Sequence, residues 1–234
     1  MDKDFLINGA VQVGATITSD QAEALCAYYE KVVECNKAFN LTAITEEKDF
    51  AVKHIIDSLA GVSEIPHGAK LCDIGSGGGF PSMPIAIARE DVSVTALDST
   101  AKKMTFVAQS AKELGIKNIS TVAGRAEEQK AQFAKYDAVT ARAVSALPIL
   151  LELAIPFLKV GGLFLAYKTD ESELDSAQNA IKVLGAKHLH TKFLNLPNGD
   201  KRAIIVFEKI KQTVESKTGK SFEEVVTENM QRGL

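Results

Sequence analysis

The sequence is poor in cysteine, with only Cys26, Cys35 and Cys72 among 234 residues. An odd count without paired spacing argues against a disulfide framework or a cysteine-bound zinc, and it suits a reducing cytosol. No apolar run approaches the roughly 20 residues of a membrane span. The opening stretch MDKDFLINGA carries acids and no long apolar segment, unlike a signal peptide, so a cytoplasmic protein is expected. Positive charge is not in excess: 27 Lys and Arg stand against 30 Asp and Glu, a net charge of -3. No global basic field invites nucleic acid, and any polyanionic partner has to be met by local charge. Repeats, low-complexity blocks and heptads are missing. So is the basic-aromatic interleaving of a platform for single-stranded bases. What remains is an ordinary soluble composition, 46% hydrophobic and 24% charged. The chain is long enough to bury a core without disulfides or metal.

The first third reads as helical. Ser19 and Asp20 are placed to cap a helix through QAEALCAYYEKVVECNKAF, which Asn40 to Thr42 break. A second helix is expected from Thr45, with Glu46 and Glu47 in its first turn, through FAVKHIIDSLAG to Gly61. From Lys70 the pattern alternates. Strands are expected at KLCDIG, VSVTALD, NISTVAG, YDAVTAR and GLFLAYK. Between them lie expected helices at PSMPIAIARE, TAKKMTFVAQSAKELG, AEEQKAQFAK and ALPILLELAIPFLKV, the last running to Gly161 and Gly162. A helix over ESELDSAQNAIKVLG then leads to AKHLHTKFLNL and RAIIVFEK, two strands joined by the turn PNGD. This alternation predicts an α/β fold, a doubly wound and mostly parallel sheet with an antiparallel C-terminal edge. The expected division is an N-terminal helical extension (1–66), a Rossmann-like domain (67–210) and a polar tail (211–234).

The stretch LCDIGSGGGF packs Gly75, Gly77, Gly78 and Gly79 between the first strand and its helix, where a doubly wound sheet opens a crevice. Asp98 ends the second strand, 19 residues beyond Gly79, near the spacing of about 20 at which an acid bonds ribose hydroxyls. A dinucleotide fingerprint would read G-x-G-x-x-G; here the third glycine comes one residue early and Asp73 stands in front. A carboxylate at the lip of the loop would repel a pyrophosphate and attract an ammonium group. The run resembles the D-x-G-x-G-x-G motif of Rossmann-like methyltransferases, which bind S-adenosyl-L-methionine. That ranks this cofactor ahead of NAD, and a ligand-free glycine turn stays as the plain alternative. Arg125, Ala126 and Glu127 follow the third strand. Arg142 ends the fourth, either in an ion pair with a nearby acid or in a direct, catalytic role. His54 and Asp57 lie on one helix face, as a partial relay or as packing. His188 and His190 make a weak metal case, and no metal is expected. Residues 201–220 hold six Lys or Arg against two Glu, and Lys102, Lys103 and Arg125 lie near strand tips, all open to phosphate contacts.

Several separated stretches resemble one family. YYEKVVECNKAFNLTAI, HIIDSL, DIGSGGGFPSMPIAI, LDSTAKKMTFV, GRAEE and TARAVSAL are similar to the RsmG (GidB) family of bacterial 16S ribosomal RNA methyltransferases, over about residues 25–209. The resemblance implies methyl transfer from S-adenosyl-L-methionine to N7 of the guanine at position 527, in the 530 loop of 16S rRNA. It implies cofactor contacts at Gly75, Phe80, Ala126, Glu127 and Arg142, to which the reading of the loop adds Asp73, Gly77 and Asp98. RNA contacts are expected at Asn36, Asn40, Arg125 and Lys168. The implied partner is 16S rRNA or the 30S subunit, without a membrane or an obligate protein partner, for a monomer. The chain departs from the family at Cys35, where Trp is usual, at Thr169 after Lys168, where Gly is usual, and in an acidic end where a basic, proline-rich tail is usual. A methyltransferase for another RNA or a small molecule, a cofactor-sensing module without turnover, and an NAD-dependent oxidoreductase are the alternatives.

Overall fold

The computed structural model describes residues 1–211; the expected polar tail lies outside them, apart from Lys211. Seven strands form one sheet in the order β3-β2-β1-β4-β5-β7-β6. Strands β1 (Lys70–Ile74), β2 (Ser93–Asp98), β3 (Ile119–Ala123), β4 (Tyr136–Arg142) and β5 (Leu158–Lys168) pair in parallel. The hairpin of β6 (Ala186–Asn195) and β7 (Lys201–Lys209) adds antiparallel, with β7 inserted between β5 and the edge strand β6. The reversal of strand order falls between β1 and β4, where a ligand crevice is expected.

Side-chain alternation sorts the strands onto two faces. Leu71, Ala138, Leu165 and Ile204 enter one core; Cys72, Val139, Ala166 and Ile205 enter the other. The second face is covered by α7 (Leu147–Ala154) and α8 (Leu174–Leu184). The first carries α5 (Ser82–Ala88) and α6 (Ala101–Glu113), and over them α2 (Ser19–Asn36), against which α1 (Lys3–Gln12) packs. Leu6, Leu25 and Phe50 share one buried cluster with Leu71, Ile85 and Val94. The helical lead is therefore continuous with the core of the sheet.

The N-cap of α2 is Thr18 rather than Ser19 or Asp20. Its side chain accepts from the Gln21 amide while Gln21 returns a bond to the Thr18 amide, a capping box. The second lead helix starts two residues later than expected, at Glu47 with Glu46 as its cap, and runs as α3 (Glu47–Phe50), a π-helical stretch (Ala51–Ile56) and α4 (Asp57–Leu59). Such wide turns sit most often at functional sites.

Three expectations need correction. The segment AEEQKAQFAK forms two 3₁₀ turns, Ala126–Glu128 and Lys130–Gln132, because its few apolar residues make no helical stripe to bury. The apolar helix stops at Ala154, because Pro156 supplies no amide. Gly161 and Gly162 consequently lie inside β5. There a Cβ on Gly162 would stand 3.0 Å from the Lys159 carbonyl and 3.1 Å from that of Asp137.

Tyr28 of α2 sets the height of the lead over the glycine loop. Its hydroxyl donates to the Gly78 carbonyl at 2.6 Å, and a Cβ on Gly79 would come within 2.3 Å of that oxygen. Gly79 also has φ +85°, a left-handed conformation. Gly79→Ala is expected to cost about 3 kcal/mol through overpacking and backbone strain. Tyr28→Phe removes the clashing oxygen, so in urea denaturation the double variant should lose at least about 1 kcal/mol less than the sum of the single losses. Additive losses would show that Tyr28 does not hold Gly79 bare.

Candidate active site

A cleft of about 370 Å³ opens at the carboxyl ends of β1, β2 and β4, lined by Gly75, Gly77, Asp98, Lys103, Arg125, Ala126, Glu127 and Val144 among others. A larger hollow of about 720 Å³ lies at the opposite end of the strands, lined by Lys70, Lys117, Lys135 and Lys159. Ligands of open α/β sheets bind at the carboxyl ends, so the smaller cleft is the site.

The loop is bare for three reasons. Gly75, Gly77 and Gly79 all have positive φ. A Cβ on Gly75 would stand 2.5 Å from Val144 Cγ2, and one on Gly79 would strike Tyr28. A Cβ on Gly78 would make only ordinary contacts, from 3.5 Å outward, and one on the cleft-lining Gly77 would meet nothing nearer than a loop carbonyl at 3.9 Å, so no protein neighbour keeps Gly77 bare. The loop amides are mostly spent. Those of Gly75 and Ser76 donate to the Leu97 carbonyl, at 2.8 and 3.0 Å. Gly79 and Phe80 donate to the Ser76 carbonyl, both at 2.9 Å, and Gly77 donates to Asp98 Oδ2 at 2.9 Å. A pyrophosphate would find few free donors here, whereas a cofactor without phosphate needs none of them.

Asp73 is not at the lip of the loop. It is fully buried beneath it, on the same sheet face as its lateral neighbour Thr140, which donates to Oδ1 at 3.0 Å. The Ser82 amide donates to Oδ2 at 3.1 Å. Burial pushes its carboxyl up to about 6, against the lowering effect of these bonds. Asp73 thus ties the start of α5 to β4. Phe80 is also buried, at the end of a cis peptide to Pro81; its ring stacks on His54 at 4.7 Å and meets Phe50 edge-on. Neither side chain lines the cleft. Asp98 does, with its other oxygen accepting from the Thr100 amide at 2.8 Å. Ala126 and Glu127 close the cleft beyond β3, Glu127 paired with the largely exposed Arg125 at 3.0 Å.

Arg142 leaves β4 on the face of Ala138 and Thr140, toward the lead. Its Nη1 donates to Asp57 Oδ2 and to the Lys53 carbonyl, both at 2.9 Å, and Nη2 lies 3.2 Å from His54 Nδ1. Arg202 of β7, on the same face by the same alternation, donates to Asp57 Oδ1 at 2.9 Å. Of the two readings of Arg142, the ion pair is present, with a partner from the lead. Beyond Arg142 the chain turns through Ala143, whose φ is +55°. Such strain in a residue with a side chain gathers at functional sites, and here it aims Val144 over Gly75.

The expected RNA residues are not gathered in one place. Asn36 clamps the loop after α2, accepting from Leu41 and Thr42 amides at 2.7 and 3.1 Å and donating to the Thr42 carbonyl. Asn40 is exposed on that loop. Lys168 is turned inward, donating to the Ser145 carbonyl and pairing with Glu173 at 2.8 Å. His188 and His190 are separated by a β-bulge and take different partners, Thr191 and Glu64. Among the described residues no three His, Cys, Asp or Glu are grouped to hold a metal. In the sequence Arg202 stands out only as one of the basic residues of 201–220, and Thr42 only as the end of the run Asn36 to Thr42; neither pattern shows the bonds to Asp57 and His54. The parity of Arg202 with Ile204 and Val206 was the only signal of the former.

This strand order, with the glycine loop between β1 and α5 and an acid at the tip of β2, defines a Rossmann-like methyltransferase. Solved structures of the same fold include an S-adenosylmethionine-dependent methyltransferase from Aquifex aeolicus, with TM-score 0.53 and 14% identity over 66% of this chain and 90% of that one. Another is M. jannaschii TYW2 in complex with AdoMet, with TM-score 0.55 and 15% identity over 67% and 76%. Residues 21–205 match the family model described as rRNA small subunit methyltransferase G, and the chain belongs to that family. It is 42% identical over 208 residues to the ribosomal RNA small subunit methyltransferase G of Streptococcus pyogenes serotype M1, covering 86% of this chain and 88% of the relative. The serotype M4 relative is 41% identical over the same length.

Burial and the Arg142 charge hold His54 far below its ordinary value, at about 3, so the ring is neutral in the folded protein. The unfolded chain binds the proton more readily, so this group's contribution to stability falls as pH drops through the window from about 6.5 to about 3. Asp73, raised to about 6, acts with the opposite sign between about 3.8 and 6. In a His54→Gln variant only the first effect is removed. The stability gap between parent and variant should therefore narrow by on the order of 2 kcal/mol between pH 6.5 and pH 5. A gap that stays constant in denaturation at the two pH values would contradict a neutral, buried His54.

Proposed function

We propose that the chain transfers a methyl group from S-adenosyl-L-methionine to N7 of a guanine in 16S rRNA, the one at position 527 in the 530 loop, giving N7-methylguanosine. Family membership supports the reading. The structural observation that carries it is the glycine loop, most of whose amides are bonded within the protein and whose open side is at Gly77. That suits a nucleoside cofactor without phosphate.

The cofactor, when bound, supplies an electrophilic methyl group on a sulfonium. Gly75 and Gly77 shape the wall along which its methionine end passes. Asp98 offers a carboxylate to the ribose hydroxyls, and Ala126 and Glu127 enclose the adenine end. Asp73 and Phe80 act from behind the loop, holding its shape, and Arg142 joins the tip of β4 to the helical lead. Guanine N7 has a lone pair and no proton, so attack requires no general base and no metal. Catalysis is then mainly orientation of N7 in line with the methyl carbon. The structure suits this economy. His54 spends one ring nitrogen on Arg142 and the other on Thr42, leaving no free lone pair for proton abstraction. Asn40 and Arg125 are the exposed members of the expected RNA set. Asn36 and Lys168 contribute by fixing the loops that carry the mouth of the site. The partner is 16S rRNA or the 30S subunit, met by a monomeric enzyme in the cytoplasm.

Calorimetry should show binding of S-adenosyl-L-methionine and none of NAD, and labelled methyl should enter 16S rRNA from a strain lacking this gene. Gly77→Val should abolish both, since a branched side chain at φ +57° fills the open side of the loop. Binding of NAD alone would defeat the cofactor assignment. Cofactor binding without transfer to any RNA would point instead to a sensor or a small-molecule methyltransferase.

A further inference from the structure

The loop between α2 and α3 is bonded to Arg142 through a single imidazole, and the hydrogen positions of that link are fixed by valence. A guanidinium cannot accept a hydrogen bond, so His54 Nδ1, 3.2 Å from Arg142 Nη2, carries the lone pair. The ring is neutral, so its proton sits on Nε2 and is donated to Thr42 Oγ1 at 2.7 Å. The Ile44 amide donates to the same oxygen at 3.0 Å. Thr42 thus serves purely as an acceptor toward His54, in a loop that Asn36 holds by its backbone.

The acceptor at Nε2 decides more than one bond. The His54 ring lies flat against Phe80, with an interplanar angle of 20°, and edge-on to Phe50 at 4.9 Å. These contacts fix the plane of the ring and leave open its flip by half a turn and the choice of tautomer. The Arg142 donor requires the lone pair on Nδ1, and the Thr42 oxygen gives the Nε2–H its acceptor; without that oxygen nothing on the Nε2 side opposes the flip that carries Nδ1 away from Arg142. Arg142 spends Nη1 on Asp57 and the Lys53 carbonyl. Its Nε–H and its remaining Nη2–H have no hydrogen-bond partner among the described residues, and the side chain keeps 14% of its surface exposed.

We propose that Thr42 is a positioning residue for methyl transfer: through His54 it fixes the Arg142 guanidinium at the tip of β4, so that the unspent N–H groups are presented to the reactants in one orientation. The inference rests on the proposed activity, with the target base received beside β4. It makes the lead and the Rossmann-like sheet two halves of one site, with the imidazole as their joint.

The test compares Thr42→Val, which keeps the shape and removes the oxygen, with Thr42→Ser, which keeps the oxygen. Three measurements are made on full-length protein: single-turnover methyl transfer to 16S rRNA from a strain lacking the gene, calorimetry with S-adenosyl-L-methionine, and ¹⁵N shifts of the His54 ring. Thr42→Val should slow transfer about tenfold, leave cofactor affinity within about twofold, and convert one imidazole tautomer to a mixture. Thr42→Ser should restore the rate and the single tautomer. A Thr42→Val protein as fast as the parent overturns the proposal. So does a loss that falls equally on cofactor affinity, or a Thr42→Ser protein as slow as Thr42→Val. A parent protein that moves no methyl group to 16S rRNA fails earlier, before any variant is compared, and takes the functional reading down with this one.

Discussion

The rest of the site hangs on one buried carboxylate. Asp57 is 4% exposed and lies between two guanidinium groups, Arg142 from β4 and Arg202 from β7, each at 2.9 Å. A lone carboxylate there would be prohibitively costly; with both of its oxygens bonded, the burial becomes tolerable. The arrangement is more a fastening than a source of net stability. It pins the end of the π-helical stretch to β4, whose tip borders the cleft, and to β7. From that point Arg142 reaches His54, His54 stacks on Phe80, and Phe80 begins the turn into α5. Remove the carboxylate and two cations remain facing each other in a poorly solvated place.

The glycine loop reads differently in this light. Abundant glycine after a first strand suggests a ligand pressed against the backbone. Here much of that glycine answers to protein neighbours, Tyr28 over Gly79 and Val144 over Gly75. The helical lead comes so close to the loop that only glycine fits beneath it. Because the loop amides are turned inward to Leu97, Ser76 and Asp98, the anion-binding habit of Rossmann-like turns is largely cancelled. The loop thus offers a phosphate few free amides, and Asp73 lies below it, anchoring Ser82 and Thr140.

Much of the fold was legible because periodicity is a local signal. The five parallel strands, the closing hairpin and most helices follow from alternation and from turn residues such as Asn198-Gly199. The misreadings arose where local pattern was weak or was interrupted from within. AEEQKAQFAK offers no apolar stripe, and Pro156 ends a helix whose hydrophobicity continues past it. Within the site, Gly75, Gly77, Asp98, Ala126, Glu127 and Arg125 all border the cleft, as their positions after β1, β2 and β3 suggested. The burial of Asp73, Phe80 and Lys168 was not legible, because each depends on partners 5 to 67 residues away that spacing alone does not supply. The pairing of Asp57 with Arg142 spans 85 residues, and that with Arg202 spans 145. Only the parity of two strands hinted that both arginines share a face.

The claim that this carboxylate joins lead to sheet is most directly tested by a double-mutant cycle on Asp57→Asn and Arg142→Gln, read by urea denaturation. A fastening of this kind predicts a coupling energy of at least about 2 kcal/mol, because each single change leaves a buried partner uncompensated. Independent, additive losses, with coupling under about 0.5 kcal/mol, would contradict it.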